Sequence, residues 1–273
     1  MAAAAACTFA SAAVVIRLAF DLSPFEVTCY RSLLGGLSVG ALAYLRGQPL
    51  RLPPADLRRL LPIGLITAAH FLGFIAAFKF TTIAHALTFT YTAPAVTALL
   101  AWRMLGEPMP ARRWAGIALV MAGVAVLAGF EPQLTPRMLA GDGLALISAL
   151  AYAAYSILGR RERDRFPLFT YAAWIYFLAG LALLPFALVG GTYHVTPTAT
   201  AAVLYLGVVA MAGGHTLYNA ALRRMHPATV NVIASQEVTG GILLAWLILG
   251  EVPGPHVIAG AGLTLLGVAL VVL

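Results

Sequence analysis

Apolar residues run along this chain in stretches of about 20, the number a helix needs to cross the hydrocarbon core of a bilayer. Short polar or charged clusters separate the stretches. Ten spans are predicted, over roughly 3–20, 24–45, 58–78, 81–102, 111–129, 141–159, 168–189, 199–222, 227–249 and 255–273. Pro24, Pro53, Pro108, Pro167, Pro197, Pro227 and Pro255 punctuate the joins, as expected of helix starts and tight turns.

The pattern also repeats. Residues 99–107 read LLAWRMLGE and 243–251 read LLAWLILGE, a shift of 144 positions. At that shift 99–129 and 243–273 share 13 of 31 positions, including Ala115-Gly116 with Ala259-Gly260 and Gly123-Val-Ala with Gly267-Val-Ala. The chain is therefore a duplicated unit, divided here into 1–132 and 133–273. Five spans per unit is an odd number, so the second copy enters the membrane upside down relative to the first. The fold class is all-α and integral to the membrane: ten transmembrane helices in two inverted five-helix repeats. Inverted repeats of this kind build alternating-access transporters.

Composition agrees. The 273 residues are 61% hydrophobic and 10% charged, against about 25% charged in a globular domain. Thirteen arginines fall in the connections 2–3, 4–5, 6–7 and 8–9, from Arg46 to Arg224; the other face has only Arg17, Lys79 and Arg137, with Arg31 inside a span. The positive-inside rule then places a multi-pass chain in the inner (cell) membrane with both termini cytoplasmic. That placement accounts for the net charge of +7 and leaves no reason to invoke nucleic acid. Cys7 and Cys29 lie within apolar runs and read as small buried side chains. No basic residue precedes the first apolar stretch and no A-x-A site leads to a soluble domain, so it reads as a retained helix.

Pro94 to Glu107 (PAVTALLAWRMLGE), with Gly116 to Gly123-Val in the first unit, and Gln236 to Glu251 (QEVTGGILLAWLILGE), with Gly260 to Gly267 in the second, resemble the EamA family of the drug/metabolite transporter superfamily. Ser23-Pro24 and Arg31 are similar to that family as well, and the likeness covers essentially the whole chain. The resemblance implies a small-metabolite substrate, amino acids foremost, and a central cavity between helices one, three, four, six, eight and nine. The chain departs from the family at Glu237-Val238, where the second unit often has Glu-Pro, so no proline is present to break the ninth span.

Polar groups at bilayer depth are costly enough that each is either hydrogen-bonded packing or function. Glu237, beside Gln236 near the middle of span nine, is the sharpest candidate, for substrate or for a coupled proton. His70 sits mid-span in helix three. His85 shares a face of helix four with Thr88 and Thr92, with Tyr91 beside it; Ser148, Tyr152 and Tyr155 form a stripe on helix six, and His215, Tyr218 and Asn219 one on helix eight. Tyr, His, Asn and Gln suit a neutral or zwitterionic solute held by a few hydrogen bonds. Arg17, Asp21, Glu26 and Arg31 read either as a salt-bridge cluster anchoring helix ends or as an outer gate. Glu107 and Glu251 read as structural, complementing the helix dipoles that follow. Gly36-x-x-x-Gly40 and the Gly116/Gly123 and Gly260/Gly267 pairs read as close helix contacts, within one chain or between two copies.

The reading is a secondary transporter of small organic metabolites, an exporter, working as a monomer or homodimer without catalytic residues, metal or cofactor. The chain has no G-x-x-x-x-G-K-[ST] for ATP. The alternatives are an integral-membrane lipid-modifying enzyme and a passive channel. The first would want an acidic cluster or H-E-x-x-H, neither of which the sequence contains. The second would want a more polar lining.

Overall fold

Proline has no N–H to donate, so it fits the first turn of a helix, where that donor would have no partner. In a computed structural model of the chain, which describes residues 1–19, 21–81, 83–129, 135–192, 195–249 and 252–273, Pro24, Pro54, Pro136, Pro197, Pro227 and Pro255 act this way, whereas Pro62 and Pro185 lie inside helices. The elements are α1 (Ala2–Arg17), α2 (Pro24–Leu45), α3 (Pro54–Phe80), α4 (Ile83–Thr90), α5 (Ala93–Leu100), α6 (Ala111–Ala128), α7 (Pro136–Arg161), α8 (Leu168–Val189), α9 (Pro197–Tyr205), α10 (Thr216–Leu222), α11 (Pro227–Ala234), α12 (Glu237–Leu249) and α13 (Pro255–Val272). A π-helical turn, Ala101–Leu105, follows α5, and a π-helical stretch, Leu206–His215, joins α9 to α10. Among the described residues all secondary structure is helical and groups into ten spans. Five continuous stretches, Pro54–Phe80, Pro136–Arg161, Leu168–Val189, Pro197–Leu222 and Pro255–Val272, are each long and apolar enough to cross a bilayer.

Two spans are broken at equivalent places. In the fourth, Pro94 cannot donate to the Thr90 carbonyl, and the Thr92 hydroxyl bonds back to the Phe89 carbonyl at 2.7 Å, so α4 ends and α5 begins. The ninth span breaks between α11 and α12 at Ser235-Gln236, which a shift of 144 aligns with Tyr91-Thr92. No proline is present there. Instead the Ser235 hydroxyl takes the Val232 carbonyl at 2.7 Å, a local bond that competes with the helix ladder.

The repeats are related by exchange. α2 packs along α8, and α6 along α13; α3 packs on α7 as the eighth span packs on α1. The α6–α13 contact shows the reciprocity atom by atom. A Cβ added to Gly123 would lie 2.9 Å from the Gly260 carbonyl oxygen, and one on Gly116 would lie 2.8 Å from that of Gly267. Since 116 and 260, and 123 and 267, are equivalent positions, each glycine meets the counterpart of the other. These faces are therefore used inside one chain. Outside, Leu37, Val189, Leu247 and Leu266 remain exposed, as a lipid-facing surface requires, while Arg31, Asp142, Glu162 and Glu237 are buried.

The fit between α6 and α13 is testable. Gly123→Ala would place its methyl 2.6 Å from the Thr264 amide nitrogen, which cannot give way without moving the helix. Overpacking of this kind is expected to destabilise by about 1–3 kcal/mol, read as a lower thermal-unfolding midpoint in detergent. An unchanged midpoint would show that the helices are not in contact there.

Candidate functional site

The broken spans meet at the centre. Tyr91 follows the end of α4, Glu237 opens α12, and the Tyr91 hydroxyl hydrogen-bonds the Glu237 carboxylate. Around them lies a cavity of about 50 Å³, room for a few waters at roughly 10–15 Å³ each. His70 and Phe71 of α3, Tyr152 of α7 and His215, at the end of the π-helical stretch, line it with Arg31 of α2. Phe9 and Ile16 of α1, Phe74 and Thr90 complete the apolar side. Such π-helical segments recur at functional sites because they turn a side chain out of α-helical register.

The geometry fixes much of the lining. The Ser148 hydroxyl donates to the His70 carbonyl at 2.9 Å, so His70 Nδ1, itself 2.9 Å from that hydroxyl oxygen, is the donor to it. The His70 ring stacks on Tyr152, centroids 4.5 Å apart and planes 7° apart. His215 packs against Phe9 and Phe71, at 4.5 and 4.7 Å, and its Nδ1 is buried with no hydrogen-bond partner. The Arg31 guanidinium lies over the Phe71 ring at 4.9 Å, with Nε buried and unpartnered.

Between the cavity and the arginine-rich face a hydrogen-bonded belt closes the bundle. Tyr218 bonds Asn231 and Ser156, and Asn231 donates to Thr97 at 2.7 Å. Asn219 donates to Tyr155, to Tyr176 at 3.0 Å and to the His215 carbonyl at 2.9 Å. Beyond the belt, three ion pairs join the repeats: Arg59–Glu162 at 2.8 Å, Arg160–Glu107 at 3.0 Å and Arg165–Asp56 at 2.5 Å. The opposite face is tied by lighter bonds: Thr192 to Glu26 at 2.9 Å, Thr196 to Asp21 at 3.0 Å and Lys79 to the Leu22 carbonyl at 2.9 Å.

Set against the sequence, the structure divides the candidates. His70, Tyr91, Tyr152, His215 and Glu237 come together in the cavity wall. Ser148 stands behind His70, and Tyr155, Tyr218 and Asn219 belong to the belt. Gln236 is half-buried, and neither end of its amide has a partner among the described residues. His85 is drawn away to Asp142 at 3.1 Å, a carboxylate that also accepts from Thr81 at 2.7 Å. Of the proposed outer cluster, Asp21 and Glu26 lie together near Thr192 and Thr196, whereas Arg31 lines the cavity; five residues along a helix turn Arg31 about 140° from Glu26. The Arg17 side chain and Glu251 lie outside the described residues. Glu107, read as structural, holds Arg160. Asp142, Glu162, Tyr176 and Asn231 were not singled out; a carboxylate or amide inside an apolar run marked Asp142 and Asn231, whereas Glu162 sits in an arginine-rich cluster and Tyr176 among other apolar and aromatic residues.

The sequence pattern of the EamA-like transporter family matches residues 1–129 and 139–273. The chain belongs to this family. A curated relative from Archaeoglobus fulgidus, named an uncharacterized transporter, is 26% identical over 92% of this chain and 88% of its own. One from Salmonella typhimurium, named a probable amino-acid metabolite efflux pump, is 28% identical over 79% of this chain and 76% of its own. A crystal structure titled only as that of a protein superposes with a TM-score of 0.86 at 19% identity, covering 98% of this chain and 94% of that one, which establishes a shared fold. This EamA-family chain is thus a transporter with an all-helical, two-repeat membrane architecture.

Tyr218→Phe tests the belt. It leaves the buried Asn231 carbonyl oxygen short of a donor, which is expected to destabilise by about 1–3 kcal/mol. Tyr205→Phe removes a half-buried bond to Ser11 and should lower the unfolding midpoint less. Equal effects would mean that the belt is not a closed, dry layer.

Proposed function

We propose that this EamA-family transporter exports small organic metabolites, amino acids foremost, across the inner membrane by alternating access, with units 1–132 and 133–273 moving about the central cavity. One observation carries the reading: two helices broken at equivalent positions of inverted repeats deliver Tyr91 and Glu237 to one small cavity midway along the spans. At about 50 Å³ the cavity is too small to conduct, which favours a carrier that opens to one face at a time over a passive channel. The name of the Salmonella typhimurium relative supports amino acids and the outward direction. Glu237 is the proton-coupling group in this scheme. It is 8% exposed and held by a neutral hydroxyl, so taking up and releasing a proton changes the charge of the site that binds substrate. The arginine count supports a cytoplasmic location for the face closed by the three ion pairs and for both termini.

In proteoliposomes, an imposed pH gradient is expected to drive accumulation of at least one labelled amino acid. Glu237→Gln should retain exchange but lose the response to the gradient. A variant with an unchanged response removes Glu237 from the coupling.

Orientation is checked separately. Ala55→Cys and Thr198→Cys occupy exposed positions on opposite faces. An impermeant maleimide added to intact cells should label only the second; labelling of the first inverts the assignment.

A further inference from the structure

Three polar atoms in the cavity wall, Arg31 Nε, Thr90 Oγ1 and His215 Nδ1, are buried without a hydrogen-bond partner. Unpartnered polar atoms occur elsewhere in the bundle as well, but these three share one cavity, where a ligand would sit. Arg31 is the most demanding of the three. It is 4% exposed, its guanidinium rests on the face of Phe71, and no ion pair closes on it among the described residues. A guanidinium stacked in this way keeps its N–H edge free for a planar, two-oxygen acceptor. Glu237 lines the same cavity and interacts electrostatically with Arg31 without reaching ion-pair distance among the described residues. The cavity therefore holds one fixed positive and one ionisable negative group, set apart from one another.

We infer that, in a state where the repeats part and the cavity of about 50 Å³ widens, Arg31 binds the carboxylate of an α-amino acid whose ammonium group faces Glu237, with an apolar or aromatic side chain received by Phe9, Phe74 and Ile16. The assignment rests on the amino-acid reading above and narrows it. The argument is charge balance in a low dielectric. With Glu237 ionised, a simple anion would satisfy Arg31 and leave Glu237 facing a second negative charge; a simple cation would do the reverse. In that state a zwitterion pairs both groups without burying net charge. Phe9, Phe71, Phe74 and Ile16 offer no further charged group, so acidic and basic side chains would enter unpaired. Thr90 and His215 lie within the same wall and are available to the remaining oxygen or N–H of the ligand.

The test uses wild-type protein in proteoliposomes with labelled leucine, phenylalanine, glutamate and lysine as substrates. Leucinamide and phenylalaninamide, which lack the carboxylate, and 4-methylpentanoate and 3-phenylpropionate, which lack the ammonium, serve as competitors. Leucine or phenylalanine should be carried in preference to glutamate and lysine. Each one-charge analogue should compete at least about tenfold more weakly than the parent amino acid, because a site built for the missing group leaves its own polar atoms unpaired. Arg31→Lys, which keeps the charge but not the fork, should raise the half-saturating concentration for the amino acid and leave the weak competition by the amides unchanged. Equal competition by amide and parent, preference for glutamate or lysine, or an unaltered half-saturation in Arg31→Lys overturns the assignment and leaves amino-acid export standing. Absence of transport for all four amino acids overturns both.

Discussion

Inside a bilayer a polar side chain has no water to turn to, and every other feature of this bundle follows from how its few polar groups are answered. Backbone groups are satisfied by the helices themselves, which is why irregular backbone occurs only where protein surrounds it. Side chains are satisfied in layers. Arginine and carboxylate meet at the arginine-rich end, tyrosine and asparagine meet in the belt, and the connections at the opposite end are tied by threonine hydroxyls and a capping box in which Ser23 and Glu26 bond each other's backbone. Around the cavity between these layers Arg31, Thr90 and His215, on three spans, each keep a buried polar atom with no hydrogen-bond partner among the described residues.

The half-helices give this site its setting. Glu237 stands at the start of α12, where the unpaired amides of the first turn make the helix end electropositive and favour a carboxylate. Tyr91 approaches it from the far side of the break in the fourth span. A continuous helix in either position would carry these side chains past each other. The proline in one repeat and the serine back-bond in the other reach the same geometry by different chemistry.

The spans were legible because hydropathy and proline boundaries act locally: the second and seventh are recovered at both ends, Pro24–Leu45 and Leu168–Val189. The break at Ser235 was not legible, since a serine back-bond has no signature distinct from an ordinary serine in a helix. The cavity was readable where a polar side chain lay on a helix face with little else polar to attract it, as with His70, Tyr152 and His215. It was misread where a partner on a distant helix intervened: His85 answers to Asp142, 57 residues further along the chain. Arg31 was grouped with Glu26 by nearness in sequence, and the helical turn separates them.

The glycine contacts between α6 and α13 carry a consequence for how such a molecule arose. Each glycine touches the counterpart of its partner, the pattern found where two identical subunits meet across a two-fold axis. Two unlinked copies of the half-length unit, one inserted in each direction, would make the same contact. What a single copy cannot do is choose both directions at once, and here the repeats differ in that respect. Arg103, Arg112 and Arg113 in the first become Leu247, His256 and Val257 in the second. Joining both copies in one chain fixes their stoichiometry at one to one and lets the halves differ: only one of them has a proline at the break, and only one supplies the carboxylate.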